Sequence, residues 1–463
     1  MSRLSLPDGF LFGAATAAYQ IEGAVTEGGR GPSIWDTFSH TPGKTANGET
    51  GDVAADHYHR LDDDLDLIAG LGLDAYRFSI AWPRILPAGT GAVNAKGLDF
   101  YERLVDGLLA RGVEPVATLY HWDLPQALED RGGWRSRATS EAFGPYAEAV
   151  GRRLGDRVRM WTTLNEPFCS AYVGYAEGRH APGIVSEEAS LQAVHHLNLA
   201  HGHGIAALRS VVTRPDVSYS VTHNLAALYP EDASSPDDLD AVRQIEALQN
   251  RAFTDPQLRG RLPEDLVADT AHITDWSFVR PGDLAQIHQP IDVLGINYYT
   301  TGIVARGPER DTVGTVYPGA RFVREVPQPG PHTEMGWHLA PWGLYDLLLW
   351  AHERYPELDL MITENGAAFA DEVVVEDGER RVHDAARLDY LRSHLAEALR
   401  ARADGIPLTG YFAWSLMDNY EWARGYAKRF GLVHVDFETQ ERTLKDSGRW
   451  VAELATRRAL TVG

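Results

Sequence analysis

Two glutamates carry the strongest chemical signal in this chain of 463 residues. Glu166 lies in the stretch TLNEP and Glu364 in ITENG, each at the end of a short apolar run of β type. A lone glutamate is usually a surface or ion-paired residue. Two of them, each beside an asparagine (Asn165 and Asn365) and far apart in sequence, point to joint work across a pocket. Facing carboxyl groups suit glycoside hydrolysis, in which one is ionised to attack the sugar carbon and the other is protonated to release the leaving oxygen. A gap of about 5–5.5 Å implies a covalent intermediate and retention; roughly 6.5–9.5 Å leaves room for a water and implies inversion.

Such a pair needs a frame. Eight apolar runs of β type recur along the chain: 10–19, 75–82, 115–122, 158–165, 217–224, 292–299, 360–366 and 408–416. Amphipathic segments with apolar residues three and four apart lie between them, for example 59–72, 97–112, 140–155 and 389–405. Several end on glycine, at Gly72, Gly112, Gly155 and Gly405, the residue best suited to a left-handed helix stop. Alternating strands and helices with buried strands mean a parallel sheet, and eight units predict one closed (β/α)8 barrel domain over residues 1–463. A doubly wound open sheet fits less well, because no glycine-rich phosphate loop follows an early strand. The chain exceeds the usual ~250 residues of the barrel. Insertions rich in Gly, Pro, Asp and Ser are therefore expected at 28–57, 167–190, 226–240 and 300–340, the last serving as a lid or a pocket wall.

The polar residues gather where the strands end. Gln20 follows the first; His121 and Asp123 close the third; Asn165 and Glu166 the fourth; Asn297 and Tyr299 the sixth; Glu364 and Asn365 the seventh. Trp414 lies in the last strand, with Glu421 and Trp422 just beyond. Active sites of this fold are built at that face from several strand ends. Asn297 also reads as a turn residue, His121 as a satisfied core histidine, and the tryptophans as core.

Composition narrows the partners. Forty-three Lys and Arg against 65 Asp and Glu give a net charge of −22. Such a surface repels phosphate backbones and anionic lipid, which argues against nucleic acid and membrane partners. The single cysteine, Cys169, excludes an internal disulfide and reads as a small buried hydrophobe. The N-terminal apolar run is interrupted by Pro7 and Asp8 and followed by Gln20 and Glu22, so it reads as a strand rather than a signal peptide. A cytoplasmic location is expected, with the oligomeric state left open. His195, His196, His201 and His203 cluster but lack the helical zinc-binding pattern HExxH, and read as a histidine-rich helix; His57 and His59 are weaker still. No metal site is expected.

The motifs FLFGAATAAYQIEG (10–23), YRFSIAWPRI (76–85), LYHWDLP (119–125), TLNEP (163–167), GINYY (295–299), ITENG (362–366) and WSLMDNYEW (414–422) together resemble glycoside hydrolase family 1, the β-glucosidase family, over nearly the whole chain. The resemblance implies a (β/α)8 barrel that hydrolyses β-glycosides with retention and without metal or cofactor. Its substrate would be a β-glucoside or short β-linked oligosaccharide, in keeping with cellulose degradation, with galactosidase or fucosidase side activity. It puts Glu166 in the place of the acid/base and Glu364 in that of the nucleophile. Arg77 and Tyr299 match the residues contacting the nucleophile, Arg77 being expected to lower the pKa of Glu364. Asn165 matches the residue binding the sugar 2-hydroxyl. Gln20, His121, Glu421 and Trp422 match the set that binds the other glycone hydroxyls, with Gln20 and Glu421 presenting paired hydrogen-bonding atoms, and Trp414 matches the aromatic floor. Asn297 is assigned to the substrate-binding set.

Two positions depart from the family's pattern. Phe168 replaces the usual Trp after Asn-Glu-Pro, which bears on the leaving-group pocket, and Tyr420 replaces the Phe of NFEW. Trp122, Asn224 and Trp337 join Phe168 as candidates for the leaving-group side. A 6-phospho-β-glucosidase is disfavoured because Glu421 would repel a phosphate, and Lys428 reads as an ordinary loop lysine. The competing readings are a catalytically silent sugar-binding barrel and a metal-dependent sugar isomerase.

Overall fold

The computed structural model describes residues 2–462. Eight parallel strands close into a barrel: β1 (Leu11–Ala15), β2 (Ala75–Ser79), β3 (Glu114–Tyr120), β4 (Met160–Asn165), β5 (Ser218–His223), β6 (Val293–Asn297), β7 (Asp359–Asn365) and β8 (Leu408–Trp414). Each pairs with its neighbours in chain order, and β8 returns to β1. Six lie wholly inside the apolar runs read from the sequence, and β3 and β7 begin one residue before theirs. The strands are buried on both faces, which is why they read as continuous apolar segments rather than alternating ones.

Each strand is followed by helical structure. The main outer helices are α1 (Leu61–Gly70), α2 (Ala95–Ala110), α3 (Arg137–Leu154), α4 (Glu187–Val211), α5 (Pro236–Glu246), α6 (Pro341–Arg354), α7 (Ala385–Ala403) and α8 (Asp446–Arg457). Ser186 caps α4 and Ser235 caps α5, each accepting a backbone N–H three residues on, and Pro236 fills the first turn of α5. The four helices predicted from periodicity are present, three of them starting two to four residues earlier than expected and α1 two residues later. One stop signal is corrected: Gly155 follows α3 with φ −72°, so no left-handed turn selects it. A Cβ there would meet the Gly151 carbonyl oxygen at 2.3 Å and Val212 Cα at 2.9 Å, so close packing is the reason for the glycine.

Ala15, Ala75, Val116, Met160, Val293, Met361 and Phe412, one residue from each of seven strands, form an apolar cluster of their own that also includes Trp414. This is the packed interior of the barrel. Above it, toward the C-terminal strand ends, the buried residues turn polar: Arg77, His121, Asn165, Asn297 and Glu364. The pairing register shifts between Thr162 and Asn165, between Ile362 and Glu364, and between Ile362 and Asn365. Such irregularities re-aim side chains, and here they coincide with the ends of the two strands that lead to the glutamates.

The insertions are structured. Segment 28–57 carries the helix Ile34–Ser39, held by a reciprocal Ser33–Asp36 capping box. Segment 167–190 contains a wide π-helical turn, Cys169–Glu177, and not a plain loop. Strands Ala227–Pro230, Thr301–Arg306 and Val323–Glu325, drawn from 226–240 and 300–340, form a three-stranded sheet beside the barrel mouth. The long insertion is thus a wall. The chain ends are tied together by antiparallel pairing of Ser2–Ser5 with Ala459–Val462. No helix among the described residues is long and apolar enough to cross a membrane.

Candidate active site

Glu166 and Glu364 line one cavity of about 230 Å³ at the C-terminal mouth of the barrel. Its wall also includes His121, Trp122, Asn165, Phe168, Asn224, Tyr299, Trp337, Trp414, Glu421 and Trp422. Candidate residues from five of the six strand ends are therefore brought together. Asn297 lies at the adjoining groove, Arg77 is buried behind Glu364, and Gln20 is buried against the loop that carries Glu421.

The two carboxyl groups are joined through a polar chain. Arg77 donates to Glu364 Oε1 at 2.7 Å and to Asn165 Oδ1 at 2.7 Å. The Asn297 amide donates to Asn165 Oδ1 at 3.1 Å and to Glu166 Oε1 at 2.8 Å, and Thr363 in turn donates to Asn297 Oδ1. The Tyr299 hydroxyl donates to Glu364 Oε2 at 2.6 Å. Both oxygens of Glu364 are thus held by donors, one of them cationic, while Glu166 receives one amide and one thiol. The backbone of Glu166 sits in the left-handed region at φ 45°, as do Trp122 at 77° and Trp422 at 51°. Non-glycine residues hold that conformation only where surrounding structure enforces it, and here all three border the cavity.

Electrostatics separate the two acids. Burial pushes the Glu166 carboxyl up to about 8, and the nearby charge of Glu364 adds to the rise. Arg77 does lower the pKa of Glu364, as expected, but it does not set the net direction. Burial is the largest influence and the net shift is upward, with Arg77, Tyr299 and Asn297 working against it. The guanidinium and the hydroxyl still make Glu364 the first of the pair to ionise.

The remaining polar residues keep specific atoms unspent. Asn165 Oδ1 accepts from Arg77 and Asn297, so its amide nitrogen donates to His121 Nε2 at 3.0 Å. The His121 proton must then sit on Nδ1, which has no partner among the described residues. Gln20 donates both amide protons, to Asn419 Oδ1 and the Tyr420 carbonyl, each at 2.9 Å. Only its Oε1 stays free, so the paired donor and acceptor expected of Gln20 is reduced to an acceptor. Glu421 Oε2 is likewise buried without a partner, and burial followed by repulsion from Glu364 and Glu166 raises its carboxyl to about 8. A free N–H and a free carboxyl oxygen on the cavity wall, with a free amide oxygen behind it, are groups able to pair with hydroxyls. Trp414 and Trp422 both lie near-parallel to the His121 ring, at 5.8 and 6.1 Å, and Trp422 is backed by Trp35 and Trp122 at 4.6 Å.

Other sequence readings find different places. The Cys169 thiol is not a mere hydrophobe: it lines the cavity and donates to Glu166 Oε2 at 3.2 Å. Its position three residues after Glu166 was the available signal. Asn419, which aims Gln20, was missed although it lies inside WSLMDNYEW. Arg179 and Tyr317 also line the cavity and carried no signal beyond lying within the insertions. Asp123 is buried away from the cavity with its carboxyl pushed up to about 8 by burial, and Asn365 is spent on Tyr298, Tyr390 and Tyr411. The histidines of α4 are used in packing: His195 bonds Asp283, His196 the Trp134 carbonyl and His201 the Thr163 hydroxyl. Lys428 faces Glu334 at 3.4 Å.

Comparison with known proteins places this geometry. The model for glycosyl hydrolase family 1 matches residues 2–460. A bifunctional β-D-glucosidase/β-D-fucosidase of Bifidobacterium breve is 52% identical over 454 residues, covering 96% of each chain. The family 1 β-glucosidase of Thermotoga maritima, solved with isofagomine lactam, superposes with a TM-score of 0.93 at 44% identity over 99% of this chain and 100% of that one. A psychrophilic β-glucosidase of Micrococcus antarcticus gives a TM-score of 0.94 at 47% identity over 98% of both chains.

Proposed function

The chain belongs to glycosyl hydrolase family 1, and on that premise we infer that it is a retaining exo-β-glycosidase, chiefly a β-glucosidase releasing terminal non-reducing β-D-glucose. One observation carries the reading: Glu166 and Glu364 line a single cavity and are bridged by Asn297, Asn165 and Arg77. We assign Glu364 as nucleophile and Glu166 as acid/base.

In the first step the Glu364 carboxylate attacks the anomeric carbon while the Glu166 proton passes to the glycosidic oxygen. The C–O bond breaks, the leaving group departs as an alcohol, and an ester joins the sugar to Glu364. That ester removes the negative charge which had helped to keep Glu166 protonated. The pKa of Glu166 falls, and its carboxylate takes a proton from water as the water oxygen attacks the anomeric carbon. β-Glucose leaves, with Glu364 ionised and Glu166 protonated again.

Around the reacting centre, Gln20, His121, Asn165, Asn297 and Glu421 read as hydroxyl-binding residues, and Trp414 and Trp422 as apolar faces for the ring. Trp122, Phe168, Asn224 and Trp337 read as the leaving-group side. The Bifidobacterium relative is named for both glucosidase and fucosidase action, which supports a fucosidase side activity. The relatives named as glucosidases support unphosphorylated over 6-phosphorylated sugars. On this reading one barrel domain, acting in the cytoplasm, would trim short β-glucosides of the kind released from cellulose.

Proton NMR during hydrolysis of an aryl β-glucoside tests the reading. β-Glucose should appear first and mutarotate afterwards. Initial α-glucose, or binding without turnover, would refute it.

A further inference from the structure

Beyond the catalytic cavity lies an open groove of about 870 Å³, sharing Asn224, Tyr299, Tyr317 and Trp337 with it. The groove continues along Thr300–Val304 to His332 and His338. Its volume is far larger than that of the inner cavity, so the leaving-group side has room for more than one small group.

Helix α6 begins just past this groove. Helices of a (β/α)8 barrel run back from the strand C-termini, so the first turn of α6 stands on the mouth face. Trp342, in that turn, is 47% exposed and is the one tryptophan among the large exposed hydrophobic side chains of the described residues. Leaving so large an apolar face in water forgoes the stabilisation that burial would bring. The side chain is also anchored beside the groove. Its ring meets His338 edge-on at 5.6 Å, and His338 lines the groove. The helix start is clamped on the same wall, since Tyr298 donates to the Ala340 carbonyl at 2.5 Å. Gly343 lies so close to Thr301 that a Cβ would fall 2.3 Å from its methyl.

We propose that Trp342 is a distal sugar platform, stacking against a unit of a β-linked gluco-oligosaccharide whose non-reducing end occupies the catalytic cavity and whose chain leaves through the groove. This rests on the β-glucosidase reading and adds a preference for longer chains.

The test is kcat/KM for β-1,4 and β-1,3 gluco-oligosaccharides of two to five units and for an aryl β-glucoside, with wild type, Trp342→Ala and Trp342→Phe. The alanine variant should lose about three- to tenfold on the longest substrates of at least one series. It should keep wild-type rates on the aryl glucoside and disaccharides, and the phenylalanine variant should retain most of the chain-length effect. Equal rates for wild type and alanine variant at every length, or a uniform loss across all substrates, overturns the platform while leaving the glucosidase reading intact. Failure of the wild type on every β-glucoside overturns that reading itself.

Discussion

The two ends of the substrate pocket are built on opposite principles. At one end Gln20, His121 and Asn165 are buried beside the half-buried Glu421; Asn165 is fully bonded, and Gln20 and His121 each keep one free atom. The end toward Phe168, Asn224 and Trp337 opens into a wide groove walled by inserted strands. A buried site with counted hydrogen-bonding atoms rejects a sugar that lacks a matching hydroxyl, because the orphaned partner costs about 1–3 kcal/mol. An open groove lined by aromatics and amides accepts many shapes with small penalties. On the proposed reading, that contrast makes the terminal sugar more closely selected than what is attached to it.

The comparison is broken most severely at the centre. Glu364→Gly should reduce turnover of any β-glucoside by about 10⁴-fold or more, with azide or formate restoring activity and giving the inverted product. Activity close to wild type without Glu364 would end the assignment. Glu166→Ala should cost roughly 10²–10⁴-fold on substrates with poor leaving groups and far less on activated aryl glycosides in the glycosylation step. Equal losses on both would contradict the acid role.

At the closed end, Glu421→Gln should lower kcat/KM by about ten- to a hundredfold whatever the leaving group. The same variant has a stability signature. The Glu421 carboxyl is raised from 4.5 to about 8 in the fold, so its contribution is fully present below pH 4.5 and is lost as pH rises through about 8. The glutamine variant should therefore gain in melting temperature relative to wild type between pH 5 and pH 8, and a constant difference across that range would refute the buried-acid account. The pH profile of kcat/KM should be bell-shaped, falling on the alkaline side as Glu166 loses its raised proton and on the acid side as Glu364 gains one. At the open end, Phe168→Trp should change rates by only a few-fold and unequally among leaving groups; a uniform effect would move Phe168 out of that region.

The closed end was the legible one. Its residues come from strand ends, where a polar side chain after an apolar run is conspicuous, and their motifs fall in order along the chain. Cys169 was misread because nothing in an isolated cysteine tells that a helix will turn it onto a carboxyl three residues back. Gln20 lies behind the cavity wall, against the Glu421 loop, and its amide protons are consumed by Asn419 and Tyr420, some four hundred residues away. The open end was largely illegible. The segments 226–240 and 300–340 show only turn-rich composition, and their pairing into one sheet depends on partners distant in sequence.

Periodicity alone determined the eight strand–helix units and hence the barrel, because the alternation of buried strands with one-sided helices has few other ways to close. The residue types at strand ends likewise determined that two carboxylic acids and a set of polar and aromatic residues would meet at one face. Only the tertiary structure decided which hydrogen-bonding atoms remain free, which acid ionises first and how wide the exit is. Those properties depend on distances and burial summed over many elements, and no local run of residues encodes such a sum.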